Sequence, residues 1–444
     1  MSDVLTNDLS VNLPANLPTN LSVLVIGSGG REHALVKAFK ESKSIKNIYC
    51  SSGNAGIAQD AKIVALDLKN YSSVVHFSQE KKIDFVFIGP EDPLVDGLAD
   101  QLRKNNIAVV GPSKFAAQLE GSKIFAKNFM LQAGVPTAEA TEVIDTRQTL
   151  TAAKDYSPPY ILKADGLAAG KGVFICKSLE ELKLHAEEIF EKKSLGVAGE
   201  KALLEKNLPG YELSFLVLTN GKNFQALPLA QDHKRLQDGN LGPNTGGMGT
   251  FAPMNVSVEL KEKIISRIIK PSVQQIEIEN NKNNEFLFYG ILFIGIMVVD
   301  NEPFVLEYNV RFGDPETQVI LPLIKNDLGQ VFYCLAKGDL LNLTFKNESA
   351  FCIVNAAEGY PNNPVKNTPI NLPENEFDKY ILHAGTKLNE NNQLVSNGGR
   401  VLNVVAVAES LSEAREKAYL LNEKIKFPGR QFRTDLGNYS SSKI

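Results

Sequence analysis

The sequence is short of cysteine. Its 444 residues hold four, Cys50, Cys176, Cys334 and Cys352, and no two form a CxxC pair. That spacing argues against a disulfide framework and against zinc, and it suits a reducing cytoplasmic location. An excess of one charge sign is also missing: 47 Lys and Arg against 51 Asp and Glu leave a formal net charge of −4. Nucleic acid is therefore not an expected partner, and small anionic ligands need local basic groups. Long apolar runs are lacking too. The longest, Phe286–Val299, is too short for a bilayer and carries Gly290 and Gly295, so it reads as buried strands and no membrane partner is expected. The N-terminus has no basic region followed by an apolar core, the mark of a secretory signal. What is present, 43% apolar and 22% charged residues, is the composition of a soluble globular chain. Its length allows about two to four domains.

The stretch Pro303–Glu316 organises the rest. Its first half reads as a strand, Phe304, Leu306 and Tyr308 alternating with Val305, Glu307 and Asn309. A period of two places Glu307, Asn309 and Arg311 on one face. Mg²⁺ takes hard oxygen ligands and is usually shared between one or two protein groups and substrate phosphates. Glu307 and Asn309 can supply such oxygens, and Arg311 can reach a phosphate through two parallel hydrogen bonds. On this stretch alone, an ordinary edge strand with solvated polar groups reads equally well. Gly313 breaks the strand, and Asp314-Pro315 is a helix start, with Asp as N-cap and Pro at the first helical position.

Residues 1–20 are polar, repeat Asn-Leu-Pro and are expected to be a disordered tail. Strands then recur at Leu21–Ile26, Ile45–Cys50, Ile83–Gly89 and Ile107–Val110, with helical patterns between, one of them Val95–Asn105. The alternation predicts a parallel, Rossmann-like α/β domain with ligands at the C-terminal ends of its strands. Gly27-Ser28-Gly29-Gly30-Arg31-Glu32-His33 joins a strand to a helix as phosphate sites do. A dinucleotide fingerprint needs glycine where Glu32 stands, which disfavours a nicotinamide-dependent oxidoreductase. Gly53–Gly56 and Gly89-Pro90-Glu91-Asp92-Pro93 share that edge, and both also read as plain turn chemistry.

A helix is predicted over Ser122–Gln132, ended by Gly134-Val135-Pro136. The most specific local signal follows: a strand ending in Lys163-Ala164-Asp165, the run Gly166-Leu167-Ala168-Ala169-Gly170-Lys171-Gly172, and a second strand through Cys176. Small residues let backbone amides approach a polyphosphate, and Lys163 and Lys171 add positive charge. A Walker loop is excluded, because Gly172 follows Lys171 and a strand follows in place of a helix. A phosphate-covering hairpin fits better than a bare turn. A helix at Leu179–Lys192 and strands at Lys201–Glu205 and Leu213–Leu218 come next, with Glu205 and Glu212 near a turn at Pro209-Gly210. Gln231–Arg235 and Gly242–Gly249 read as one long polar loop. Its Asp232, His233, Lys234 and Arg235 form either an anionic-substrate site or a solvated charge run. Strands at Ala350–Ala356, His383–Thr386 and Val401–Val407, with a helix at Ser410–Asn422, predict a last small α/β unit.

A glycine hairpin with lysines, paired with a distant Glu-x-Asn strand, resembles the ATP-grasp fold. The wider motif set narrows this: Gly27–His33, Glu120-Gly121-Ser122-Lys123, Lys163–Gly172, Gln231–Arg235, Gly242–Gly249 and Asn309–Glu316 together resemble the phosphoribosylamine–glycine ligase family from about Leu21 to Leu436. The resemblance implies a mixed α/β and α+β multidomain chain. Its parts would be an N-terminal domain at 21–122, an ATP-grasp domain at 123–335 with a lid at about 141–215, and a C-terminal domain at 336–444. It implies ligation of glycine to 5-phosphoribosylamine with ATP, through a glycyl phosphate, with Mg²⁺ or Mn²⁺ on Glu307 and Asn309. It assigns ATP to Lys123, Lys163, Gly166–Gly172, Glu205 and Glu212, leaving open which glutamate meets the adenosine. Lys163 and Arg311 take catalytic roles. Substrate falls to Gly27, Gly29, Gly30, Arg31, Glu32, Glu91, Asp232, His233, Lys234, Gly246, Gly247, Met248 and Asp314, with the sugar phosphate at the N-terminal glycine turn. The expected partners are these small molecules alone, in a monomer without a further fused catalytic domain. Glu358, and the stretch Glu205–Glu212 where the family usually has paired acids, depart from the family pattern, and the tail is extra. The competing readings are another ATP-grasp carboxylate–amine ligase, the oxidoreductase, and a non-catalytic nucleotide-binding protein.

Overall fold

The computed structural model describes residues 17–168, 170–373 and 378–438. Residues 1–16 of the expected tail, and Ala169 of the hairpin, lie outside the described residues. Leu17 does not behave as tail: it packs, half-buried, against the core that holds Leu341. Among the described residues no helix is long and apolar enough to cross a membrane.

The N-terminal sheet is wholly parallel, in the order 62–64, 45–52, 21–27, 85–88, 109–110. All seven residues of Leu21–Gly27 are buried, as a central parallel strand covered on both faces requires. Strand order reverses beside it, where α/β sheets open a crevice. There the tips of the first and fourth strands meet, Gly89 N–H donating to Ile26 O at 3.0 Å. The helix expected over Val95–Asn105 is two helices, Glu91–Asp96 and Leu98–Lys104, broken at Gly97 with φ +96°. One face of this sheet shares a core with the central domain through Ile26, Val86, Leu292 and Ile294. The other packs Phe87 edge-on to Phe332, with ring centroids 5.0 Å apart.

The central sheet is antiparallel, in the order 224–226, 211–219, 290–299, 302–309. Gly290–Val299 absorbs most of the apolar run as a single strand. Glu302–Asn309 does not keep the expected alternation: Pro303, Val305 and Tyr308 are the buried residues, so the frame slips after Val305. Glu307 lies opposite Gly295 but Val305 opposite Ile296, so Leu306 is the extra residue of a bulge.

Residues 140–206 form a second antiparallel sheet, in the order 140–143, 202–206, 160–164, 173–176. Val143, Leu162, Leu204 and the helix residues Leu182, Ala186 and Ile189 give it a core of its own. The apolar spacing of those three helix residues places them on one face.

The last sheet runs 231–232, 249–252, 349–356, 400–408, 379–383. The 231–232 strand, and the first residue of the 249–252 strand, come from the stretch read above as loop. The same stretch also pairs Arg235–Gln237 with Leu241–Asn244. Glycines at φ +69° (Gly239) and +80° (Gly242) make that tight return. Their turn character hid the strands.

Candidate active site

Three lysines from two elements converge on one edge of the cleft. Lys163 Nζ is 2.7 Å from one Glu205 oxygen, and Lys127 Nζ is 3.0 Å from the other. Burial pushes the Glu205 carboxyl up, but Lys163 and then Lys127 outweigh it and hold it below its ordinary value. Lys163 Nζ also donates to Leu306 O at 3.2 Å. The bulge frees that carbonyl from the ladder. Lys123 Nζ donates to Gly166 O at 3.2 Å. Burial lowers its pKa, and Glu307 is the strongest charge acting against that. The hairpin root is fastened here as well. Asp165 accepts Ser122 Oγ and Ile124 N–H, both at 2.8 Å, and its carbonyl accepts Lys123 N–H at 3.0 Å.

The hairpin loop is small-residue by necessity. A Cβ on Gly166 would lie 2.8 Å from Ala198 Cα, and one on Gly172 would lie 2.8 Å from Ala168 Cβ. Gly170 turns at φ +78°. Lys171 is exposed beside it, and Leu167 is half-buried. Of the two candidate glutamates, Glu205 is buried with both oxygens engaged, whereas Glu212 is exposed at the start of the 211–219 strand.

Across the cleft Glu307 is exposed and Asn309 half-buried, two residues apart beyond the bulge. Arg311 lies next to them but is already divided. Its Nε is 3.2 Å from Glu91, its Nη2 is 2.8 Å from Glu120 and 3.4 Å from Asn309 Oδ1, and its Nη1 donates to Phe312 O at 3.1 Å. The expected two-pronged contact on a phosphate is thus not what the fork makes; it ties Asn309 to the N-terminal domain. Glu120, which also accepts Val310 N–H at 2.8 Å, belongs to this site and was not assigned from the sequence. Its place just before the Ser122 cap was the available signal.

The glycine turn of the N-terminal domain differs from expectation. Glu32 Oε2 accepts Gly29 N–H at 2.6 Å, and Glu32 Oε1 is 2.6 Å from Arg31 Nε. Its side chain lies where Cβ atoms on Gly27 or Gly89 would be. Asp314 Oδ2 accepts Arg31 N–H at 3.4 Å. Two carboxylates therefore take amides that a phosphate would need, at the end of a helix dipole that favours negative charge. The same Glu32 side chain covers the turn glycines that a dinucleotide pyrophosphate would have to approach. Asp314 is not an N-cap either. The helix starts at Glu316 with Pro315 before it, and Asp314 Oδ1 accepts Gln318 Nε2 at 2.7 Å.

The 231–249 stretch supplies the far wall. Asp232 accepts His233 N–H at 2.7 Å and pairs with Lys234 Nζ at 3.1 Å. A Cβ on Gly247 would lie 2.6 Å from Asp232 Oδ1. Burial works to lower the Lys234 pKa, but Asp232, Glu316, Glu212 and Glu307 together raise it. His233 and Met248 are not brought to the cleft. Met248 is fully buried, and His233 packs toward Gly249 and Gly437, its pKa lowered to about 4 by burial and Arg433.

Comparison with known proteins accounts for this arrangement. The phosphoribosylglycinamide synthetase N domain matches residues 21–120, the ATP-grasp (A) domain 121–317, and the C domain 350–439. Phosphoribosylamine–glycine ligase of Agrobacterium fabrum is 42% identical over 425 residues, 94% of this chain and 98% of that protein. The trifunctional purine biosynthetic protein adenosine-3 of Homo sapiens is 42% identical over 94% of this chain and 41% of its own length. The crystal structure of phosphoribosylamine–glycine ligase from Thermotoga maritima aligns with a TM-score of 0.81 at 34% identity, covering 94% of this chain and 100% of that one. The biotin carboxylase domain of Hydrogenobacter thermophilus 2-oxoglutarate carboxylase shares the fold, with a TM-score of 0.70 at 18% identity. With matched domains running in order through most of its length, and relatives aligned nearly end to end, the chain belongs to the phosphoribosylglycinamide synthetase family.

Proposed function

We propose that this protein joins glycine to 5-phosphoribosylamine with ATP, giving glycinamide ribonucleotide, ADP and phosphate, a step of purine biosynthesis. The observation that carries the reading is the 3.2 Å contact of Lys163 Nζ with Leu306 O, groups 143 residues apart in the chain. It sets the phosphate-covering hairpin directly against the Glu307–Asn309 strand. A phosphate chain lying between them meets ammonium groups on one side and hard oxygens on the other.

A carboxylate does not condense with an amine at neutral pH, and phosphorylation gives it a leaving group. One glycine carboxylate oxygen attacks the γ-phosphorus, the bond to the bridging oxygen of ADP breaks, and glycyl phosphate forms. The phosphoribosylamine nitrogen then attacks the carbonyl carbon. The C–O bond to phosphorus breaks at the carbon, and the amine proton passes to a cleft carboxylate or to solvent. Lys163, Lys123 and the Gly166–Gly172 amides hold the phosphates in line. Arg311 acts by position, keeping Asn309 and Glu91 in register. The lid keeps water from the acyl phosphate. Glu307 and Asn309 offer one charged and one neutral hard oxygen, a donor set that suits Mg²⁺ or Mn²⁺. A divalent cation held there would neutralise charge on the phosphate oxygens.

Labelled glycine tests the route. With ¹⁸O in the glycine carboxylate, each turnover passes one labelled oxygen to inorganic phosphate, and phosphate release requires both glycine and phosphoribosylamine. Unlabelled phosphate overturns the acyl-phosphate route. Release without phosphoribosylamine at the full rate favours a different ligase.

A further inference from the structure

Phosphoribosylamine carries a phosphate monoester, which needs cations or backbone amides. The N-terminal glycine turn is poorly placed to provide them, since Glu32 and Asp314 occupy the Gly29 and Arg31 amides. Lys123 and Lys163 face the ATP end of the cleft, and Lys171 is on the hairpin that covers it. Arg400 and Lys234 stand at the other end.

Arg400 is the first residue of the 400–408 strand in the C-terminal sheet. Its Nη1 donates to Gly246 O and to Asp314 O, both at 2.6 Å, and its Nη2 lies 3.4 Å from the Asp314 carboxylate. Among the described residues, its Nε–H and one Nη2 hydrogen have no partner. The side chain is 21% exposed, so the fork is not sealed from solvent. The fork is also fixed. Gly246 is gripped from its other side by Tyr360, whose hydroxyl accepts Gly246 N–H at 2.9 Å. Lys234 borders the same space: its carbonyl accepts Thr245 N–H at 2.8 Å, its side chain is 41% exposed, and its ammonium makes one ion pair, to Asp232. Burial raises both the Asp232 and Glu316 carboxyls; burial works the same way on Asp314, but Arg400 and then Arg31 outweigh it and hold that carboxyl below its ordinary value.

We propose that Arg400 and Lys234 form the subsite for the 5-phosphate of phosphoribosylamine, so that the C-terminal sheet reads this substrate. The inference rests on the ligase reading above. Planar, two-pronged recognition of phosphate is what an oriented guanidinium provides.

Calorimetric titration of the full chain with glycinamide ribonucleotide and with glycinamide riboside, which lacks the phosphate, isolates the subsite. The ratio of the two Kd values measures the phosphate's contribution. Arg400→Gln and Lys234→Gln should each shrink that ratio by about 10-fold or more, the size of one charged hydrogen bond, with riboside binding unchanged. Tyr360→Phe, which loosens the grip on Gly246 and keeps both cations, should leave the ratio alone. If Arg400→Gln weakens both ligands alike, its role is structural; if neither Gln variant changes the ratio, the subsite lies elsewhere. Both results overturn the proposal. Lys234→Gln carries the test by itself if Arg400→Gln does not fold. Failure of the ligase reading would show separately, as absent glycine-dependent turnover in the wild type.

Discussion

Replacing Glu205 by Gln removes one negative charge from between two buried ammonium groups. Lys163 and Lys127 sit 2.7 and 3.0 Å from its oxygens, with side-chain exposures of 9% and 8% against 4% for Glu205. Gln keeps one acceptor. The lysines retain Leu306 O, Thr137 Oγ1 and Ala138 O, all neutral. Breaking a buried pair from one side costs about 3–5 kcal/mol. The cost has a ceiling, because a lysine can shed its proton. From a free value of about 10.4, deprotonation at pH 7 costs about 4.6 kcal/mol, and at pH 9 about 1.9 kcal/mol. The sign follows from linkage. A lysine whose pKa is depressed by folding binds fewer protons folded than unfolded, so the variant regains stability as pH rises. Amide hydrogen exchange on the 160–164 and 202–206 strands reads this locally. At pH 7, opening should be about 10²–10³-fold more frequent in Glu205→Gln than in wild type, after correction for intrinsic exchange. At pH 9 the gap should fall to about 25-fold or less. A deficit under about 1 kcal/mol at pH 7, the worth of an exposed pair, would refute the reasoning. So would a deficit that is the same at both pH values.

Glu307→Gln keeps shape but loses charge on an exposed strand position, so the melting temperature should hold while turnover at limiting Mg²⁺ falls by roughly 10²-fold or more; near wild-type turnover there rejects Glu307 as a ligand. Burial pushes the Asp60 carboxyl up, but His33 and Lys40 prevail and hold it at about 2. A carboxyl depressed on folding stabilises above its unfolded value near 4 and loses that contribution as pH falls toward 2. Asp60→Asn should therefore melt lower than wild type at pH 6, with the gap closing between pH 4 and 2; a constant gap refutes the pairing.

The hairpin and the Glu-x-Asn strand were legible because each carries its chemistry within about ten residues of chain. Parallel strands announced themselves through continuous apolar runs. Most of the misread features depend on a distant partner. The bulge at Leu306 follows from pairing with Ile296. Glu32 looked like a broken fingerprint, and only the fold shows its carboxylate lying over Gly27 and Gly89. Arg311 looked free to meet a phosphate, because Glu91 and Glu120 lie far away in sequence. The strands inside 231–249 are short and rich in turn residues, which hid their local pairing; the 249–252 strand that follows also needs a neighbour at 349–356.

That last pairing bears on how the chain is made. Phe251 stands opposite Phe351, a hundred residues later. Ribosomes add roughly 5–20 residues per second. The 249–252 strand thus leaves the ribosome roughly 5–20 seconds before its sheet neighbour exists. During that interval one edge of a short, apolar strand is open to any other extended chain nearby. Slow decoding between residues 252 and 349 would lengthen the exposure, and a chaperone that covers extended apolar segments would protect the nascent protein at that point.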